Sequence, residues 1–213
     1  MVSQSLPPHL PSTSFAELLG IEQIMDNRIQ PLWIPEETVH GAAYTVQCGP
    51  GDNLMLHTAT HQAPAGSVIV VQAGDEKFAM AGGNVCAVAQ KRGIRGFVID
   101  GVIRDIREIR EAGFPVFCTG LSPKPGTKEG PGNLQTVIQC GSVFVNPNDI
   151  VIADEEGIVI VPASQYDDLL QKAQKKAAFE ASQTLEQWQS AHRQKIQQCL
   201  QESGYTDPRF ELT

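Results

Sequence analysis

Around the middle of the chain, short β-branched runs alternate with segments whose apolar residues recur every three or four positions. AAYTVQC reads as a strand, and LMLHTATHQA as a helix that Asp52 could cap and the Pro64-Ala65-Gly66 turn closes. SVIVVQA is a second strand. Gly82-Gly83 opens the helix NVCAVAQKR, which ends at Gly93 before the strand GFVID. Gly101 is expected to turn the chain into a helix VIRDIREIREA, ended by Gly113 before the strand FPVF. Such alternation predicts an α/β domain with a parallel sheet and helices packed against it.

The flanks read differently. The Pro/Ser-rich residues 1–13 predict a flexible tail, and Ser14 with Glu17 matches a capping box that starts a first helix, FAELLGIEQIMDNRI. After the loop SPKPGTKEGPGN come four strand-like runs, LQTVIQC, SVFV, DIVIA and GIVIVP, which complete a domain over residues 14–163. From Ser164 to Leu200 the pattern predicts one long helix, with residues 164–213 as a C-terminal element. A helix of that length without an internal cap is expected to pack on a neighbouring subunit.

Composition narrows the class. With 213 residues, 41% of them hydrophobic, the chain can bury a substantial core. A formal charge of -8 and the absence of a basic stripe argue against nucleic acid as a partner. The five cysteines are scattered and lack zinc spacing, so they read as buried thiols of a reducing cytoplasm. The N-terminus lacks the pattern of a secretory signal, and no apolar run approaches the ~20 residues that span a bilayer. No membrane partner is expected.

The candidate chemistry lies in GFVIDGVIRDIREIREAGFPVF. On a helix, Arg104, Asp105 and Glu108 would share one side of the first turns, just past the carboxyl end of a strand, where ligands of α/β sheets collect. On charge pattern alone a solvated helix face is the better reading; the functional one is a carboxylate for a hard divalent cation with a guanidinium beside it. Gly83 shifts the balance. A Gly-x20-Arg-Asp-x2-acid pattern arises by chance in about one chain of this length in a few hundred.

This motif, with GGNVCAVAQKRGIRGFVIDGVIRDIREIREAGFPVF and NPNDIVIADEEGIVIVP, resembles the RraA-like family over about residues 41–162. The family includes metal-dependent pyruvate aldolases acting on 4-hydroxy-4-methyl-2-oxoglutarate and 4-carboxy-4-hydroxy-2-oxoadipate, and the regulator of ribonuclease E activity. The resemblance implies a swivelling β/β/α fold with a long C-terminal helix, assembled as a homotrimer or hexamer. It implies Asp105 as the direct ligand of Mg²⁺ or Mn²⁺, Glu108 acting on the metal through water, and Arg104 on the keto oxygen of a small 2-oxo acid. Gly83 would open the helix whose Asn84 and Val85 amides take the substrate carboxylate.

The expected activity is a class II aldolase yielding pyruvate, with oxaloacetate decarboxylation through the same enolate. A protein-binding regulator of the ribonuclease E type and a lyase on another 2-oxo acid are the alternatives. No lysine follows a core strand as a Schiff-base residue does, which favours a metal for holding enolate charge. Glu180 is the nearest candidate for the acidic residue that family aldolases draw from a neighbouring subunit, though a solvated helix glutamate is the simpler reading. Asp52-Asn53 could border the pocket, with a helix cap as the default reading; Asp154 reads as hairpin chemistry, and His57 and His61 as packing or surface residues.

Overall fold

Val68–Gln72 is buried on both faces, Val68 and Val70 on one side and Ile69 and Val71 on the other. A continuous β-branched run of this kind is what the centre of a two-sided sheet requires. The computed structural model describes residues 10–205, and the chain forms two units, Met1–Ala173 and Gln174–Thr213. The strands are β1 (Gln30–Pro31), β2 (Val39–Gln47), β3 (Val68–Gln72), β4 (Gly96–Ile103), β5 (Val116–Leu121), β6 (Asn133–Leu134), β7 (Ile138–Cys140), β8 (Val143–Val145), β9 (Ile150–Asp154) and β10 (Gly157–Val161). The α-helices are α1 (Ser12–Ala16), α2 (Leu54–Gln62), α3 (Gly83–Lys91), α4 (Ile106–Glu111), α5 (Tyr166–Ser182) and α6 (Leu185–Glu202).

Seven strands run in the order β1-β5-β4-β3-β2-β9-β10, and β6 pairs with β2 as the eighth. Strands β2 to β5 are mutually parallel, as the alternation of strands and helices predicts, while β1, β9 and β10 add antiparallel partners. The sheet is nearly closed. Met25 N–H donates to Ile158 O on the β10 edge at 3.0 Å, and Gln30–Pro31 pairs with the β5 edge, so residues 25–31 span the gap. One apolar cluster, including Val70, Val98, Phe117 and Ile160, fills the inner face; the other packs β3 to β5 against α2, α3 and α4. This is the α/β fold with a swivelling β/β/α arrangement that the sequence pointed to.

Three local expectations are corrected. Gly101 does not end β4; the strand runs on to Ile103 through a register shift between Ile99 and Val102. A Cβ on Gly101 would stand 2.6 Å from the Ala73 Cβ, so the glycine serves close approach at a bulge rather than a turn. At the N-terminus, Ser14 is not a cap and no helix runs through FAELLGIEQIMDNRI: α1 covers only Ser12–Ala16, and the N–H and Oγ of Ser12 both donate to the buried Asp154 carboxylate at 2.7 Å. Leu10 and Ser12 are therefore part of the buried core; residues 1–9 of the expected tail lie outside the described residues. Asp154 also accepts from Glu156 N–H in the β9–β10 turn, which is the expected hairpin role.

The C-terminal region is helical over the expected span but divides after Ser182. Thr184 and Gln187 form a reciprocal capping box, Gln187 N–H to Thr184 Oγ at 3.2 Å and Thr184 N–H to Gln187 Oε1 at 2.9 Å, which starts α6 afresh. Tyr166, Leu169, Leu170 and Ala173 are buried within the first unit. In the second unit α6 buries none of its residues, so Cys199 is exposed while the other four cysteines are buried, and Glu180 pairs with Lys176 at 3.4 Å on the exposed helix. Among the described residues no helix is long and apolar enough to cross a membrane.

Candidate active site

The site is assembled where β4 ends and α3 begins. Ile103 closes β4, and Arg104 N–H donates to Ala81 O at 3.0 Å, which stitches the end of that strand to the segment leading into α3. Asp105 then adopts a left-handed conformation, φ 60° and ψ 36°, and stands at the N-cap of α4. That conformation is uncommon outside glycine, though aspartate is among the residues that tolerate it, and here it sends the chain from strand to helix in one step. Arg104 and Asp105 therefore precede the helix instead of riding on it, and only Glu108 lies in its first turn. Ile109, fully buried, anchors α4 to the core, a burial that stabilises the fold by roughly 1.5–3 kcal/mol.

The Asp105 carboxylate is held from two sides. Gly83 N–H donates to Oδ2 at 3.2 Å, and Arg104 Nε lies 3.4 Å from the same atom. Oδ1 has no protein partner among the described residues. Gly82 and Gly83 are needed for space: a Cβ on Gly82 would overlap Asp105 Oδ2 and come within 3.1 Å of Arg104 Nε, and one on Gly83 would overlap the Glu108 carboxylate. The spacing of the motif thus has a physical content, with each glycine making room for an acidic side chain about 23 to 25 residues later.

The two amides assigned to carboxylate binding are not equivalent. Val85 N–H donates to Gly82 O at 3.1 Å, an i to i+3 bond at the helix start, whereas Asn84 N–H has no acceptor within the described chain. Asn84 is the free donor of the pair, as the orphan groups of a helix N-terminus allow.

Arg104, Asp105, Gly82 and Asn84 share a cleft of about 80 Å³ with Asn53, His57 and Lys128. Of the last three, Asn53 was the one the sequence offered as a neighbour of the pocket, while His57 and Lys128 were not assigned to it. Asn53 and His57 come from the start of α2, and Lys128 from the Gly/Pro-rich loop; a charged residue in such a loop was the sole signal available. Asn53 is buried, its Nδ2 donates to Ala79 O at 3.2 Å, and its Oδ1 is the buried side-chain polar atom left without a partner among the described residues. Burial, then Lys128 and His61, lower the pKa of His57 below its usual 6.5, so the imidazole is neutral at pH 7. His61, one turn on, is exposed and lies outside the cleft lining.

The chemistry open to this cleft is limited. Cys86 is on the buried face of α3, and burial, with Asp105 and Cys118 nearby, pushes its thiol up to about 12; it is an inert packing residue rather than a nucleophile. Among the described residues no group of three His, Cys, Asp or Glu side chains could cage a metal. One carboxylate with a free oxygen, a second acidic side chain close to Gly83 and an open cleft fit a hard cation that keeps most of its ligands as water.

Comparison with known proteins agrees with this fold. The profile of the RraA-like family (aldolase/RraA) matches residues 12–160. A Halalkalibacterium halodurans protein provisionally named 4-hydroxy-4-methyl-2-oxoglutarate aldolase is 40% identical over 170 residues, 79% of this chain and 80% of that protein. The 4-hydroxy-4-methyl-2-oxoglutarate aldolase of Thermus thermophilus is 31% identical over 112 residues, 52% of this chain and 68% of its own. Streptomyces coelicolor RraAS2, described as an unusual member of the RNase ES inhibitor RraA protein family, superposes with a TM-score of 0.69 at 28% identity, covering 89% of this chain and 98% of that one. A profile match over most of the chain and a relative 40% identical over four fifths of its length lead to one conclusion: this chain belongs to the RraA-like family.

Proposed function

We propose that the chain is a divalent-metal-dependent pyruvate aldolase that cleaves a 4-hydroxy-2-oxo acid such as 4-hydroxy-4-methyl-2-oxoglutarate. The observation that carries this reading is the Asp105 carboxylate, fixed by Gly83 N–H and Arg104 Nε on an open cleft with Oδ1 free. The relatives named as aldolases support it.

Asp105 would hold Mg²⁺ or Mn²⁺, with Glu108 acting through a water; when bound, the cation supplies Lewis-acid stabilisation of developing enolate charge. The chain's own groups do the rest. Asn84 N–H takes the carboxylate of the 2-oxo acid, as helix N-termini take anions. The Arg104 guanidinium is aimed by Asp105 and donates to the keto oxygen, where negative charge grows as the bond breaks. The C4 hydroxyl gives its proton to a water in the cleft as C4 becomes the carbonyl of the released fragment, the C3–C4 bond breaks, and its electron pair becomes the enolate of pyruvate, which takes a proton from water at C3. Lys128 stands in the same cleft as a cation for the second carboxylate of the substrate.

Oxaloacetate decarboxylation follows from the same arrangement, because loss of carbon dioxide leaves the same enolate. Pyruvate release from both substrates, with magnesium and with a chelator, tests the reading; no metal-dependent release from either would sink it. A non-catalytic regulator of the ribonuclease E type is the second reading, and the likeness to RraAS2 favours it. Binding to ribonuclease E by a chain that releases no pyruvate would establish that reading instead. For assembly, we propose a homotrimer or hexamer: in the second unit Phe179, Leu185 and Trp188 are 62%, 76% and 49% exposed, an apolar surface that a neighbouring subunit would cover.

A further inference from the structure

We propose that Asp52 is a positioning residue of this cleft: its buried carboxylate latches residues 127–130 to the start of α2 and so holds Lys128 in the cleft wall. The inference rests on the aldolase reading for its kinetic consequence and on hydrogen-bond geometry for the latch itself.

The loop is fastened in two stages. Up to Thr127 the backbone does the work: Ala79 N–H donates to Lys124 O, Gly126 N–H to Ala79 O, Thr127 N–H to Gly51 O and Asn53 N–H to Thr127 O, at 2.7–3.1 Å. Beyond Thr127 the backbone bonding changes partner. Glu129 N–H and Gly130 N–H both donate to Asp52 Oδ2, at 2.6 and 3.0 Å, and Thr127 Oγ1 donates to the same oxygen at 3.0 Å. Asp52 Oδ1 accepts from Leu54 N–H at 2.8 Å, which ties the cluster to the first turn of α2. Lys128 sits between the residues so held, and its side chain lines the cleft with Asn53 and His57.

All four groups around Asp52 are donors, so the position needs acceptors on both sides. A carboxylate supplies them; an asparagine cannot, because its amide nitrogen would face either Leu54 N–H or the three loop donors. Charge-assisted bonds of this kind are the stronger ones, and Asp52 is only 5% exposed. Burial alone would disfavour its charge, but the Gly130, Leu54, Glu129 and Thr127 donors together outweigh that and bring the carboxyl down to about 2, so the latch stays closed at neutral pH.

Two measurements on the full chain test the latch. Trypsin can cut after Lys128, while the bond after Lys124 precedes Pro125 and resists it. Asp52→Asn should raise the rate of cleavage at Lys128 about tenfold or more, the loss expected when a bond to a charged acceptor goes. Thr127→Ala, which removes one donor from the loop side and leaves α2 untouched, should move the rate in the same direction by less. Asp52→Asn and Lys128→Met should each raise KM for 4-hydroxy-4-methyl-2-oxoglutarate about tenfold, with kcat changing less. The double variant should be no worse than the worse single one, because Asp52 acts through Lys128. An unchanged tryptic rate in Asp52→Asn, or KM effects that multiply in the double variant, would overturn the proposal. A wild-type chain that releases no pyruvate refutes the aldolase reading, and the tryptic rates then still decide the latch.

Discussion

Gly83 and Glu108 are packed so that a Cβ on residue 83 would overlap the Glu108 carboxylate and lie 3.2 Å from the Glu108 Cβ, and so would displace that side chain. No positive φ is involved at this position, so what the glycine serves is the placing of the Glu108 side chain and not a backbone conformation. Gly82 stands in the same relation to Asp105. The motif that joins these residues is therefore a packing constraint on the site.

Gly83→Ala should push the Glu108 carboxylate aside while leaving the sheet intact. Loss of a partner that orients a metal's water typically costs 10- to 100-fold, so kcat/KM is expected to fall by about that factor, with a fall in Tm of only a few degrees. Steady-state kinetics with a thermal melt on the same sample checks it. Wild-type kcat/KM would show that Glu108 has no part in the site.

Arg104→Lys removes the fork that Asp105 aims and leaves a point charge in its place. The expected result is a fall in kcat of about 10²–10³-fold, with magnesium affinity changing little. A magnesium titration of activity separates the two. A kcat near wild type would refute the proposed contact with the keto oxygen.

His40 gives the fold a pH dependence of its own. It is buried against Tyr166, whose hydroxyl lies 2.8 Å from Nε2, and burial followed by the Arg95 charge lowers its pKa to about 4. In the unfolded chain the imidazole titrates at its usual 6.5, so below that pH the unfolded state binds the extra proton. The contribution is complete above pH 6.5 and is lost as the pH falls towards 4, amounting to at most about 3 kcal/mol. Urea midpoints measured between pH 7 and 4 should fall, and the slope should be shallower in His40→Gln. Equal slopes would exclude His40 as the cause.

Much of the fold was legible because period and burial coincide. SVIVVQA, GFVID and FPVF alternate between two apolar clusters, and the strands fall where their β-branched residues do. The near-closure of the sheet was not legible, since residues 25–31 join its edges through backbone bonds that leave no trace in side-chain pattern. Thr184-x-x-Gln187 was a readable signal of a helix start inside a continuous helical period, where the periodicity overrode it. Within the site, Arg104, Asp105 and Glu108 could be found because they are local to one strand–helix junction, and Gly83 because it stands at a fixed spacing before them at the start of α3. Asn53, His57 and Lys128 reach the cleft only through the tertiary tie between α2 and the loop, and no spacing encodes that tie.

The central claim is that Asp105 holds a metal that makes this chain an aldolase. Its most direct test is pyruvate release from 4-hydroxy-4-methyl-2-oxoglutarate by the wild-type chain and by Asp105→Ala, each with magnesium and with a chelator. Release that requires magnesium and is lost in Asp105→Ala is the predicted result. Release that persists in the chelator, or in Asp105→Ala, would contradict it.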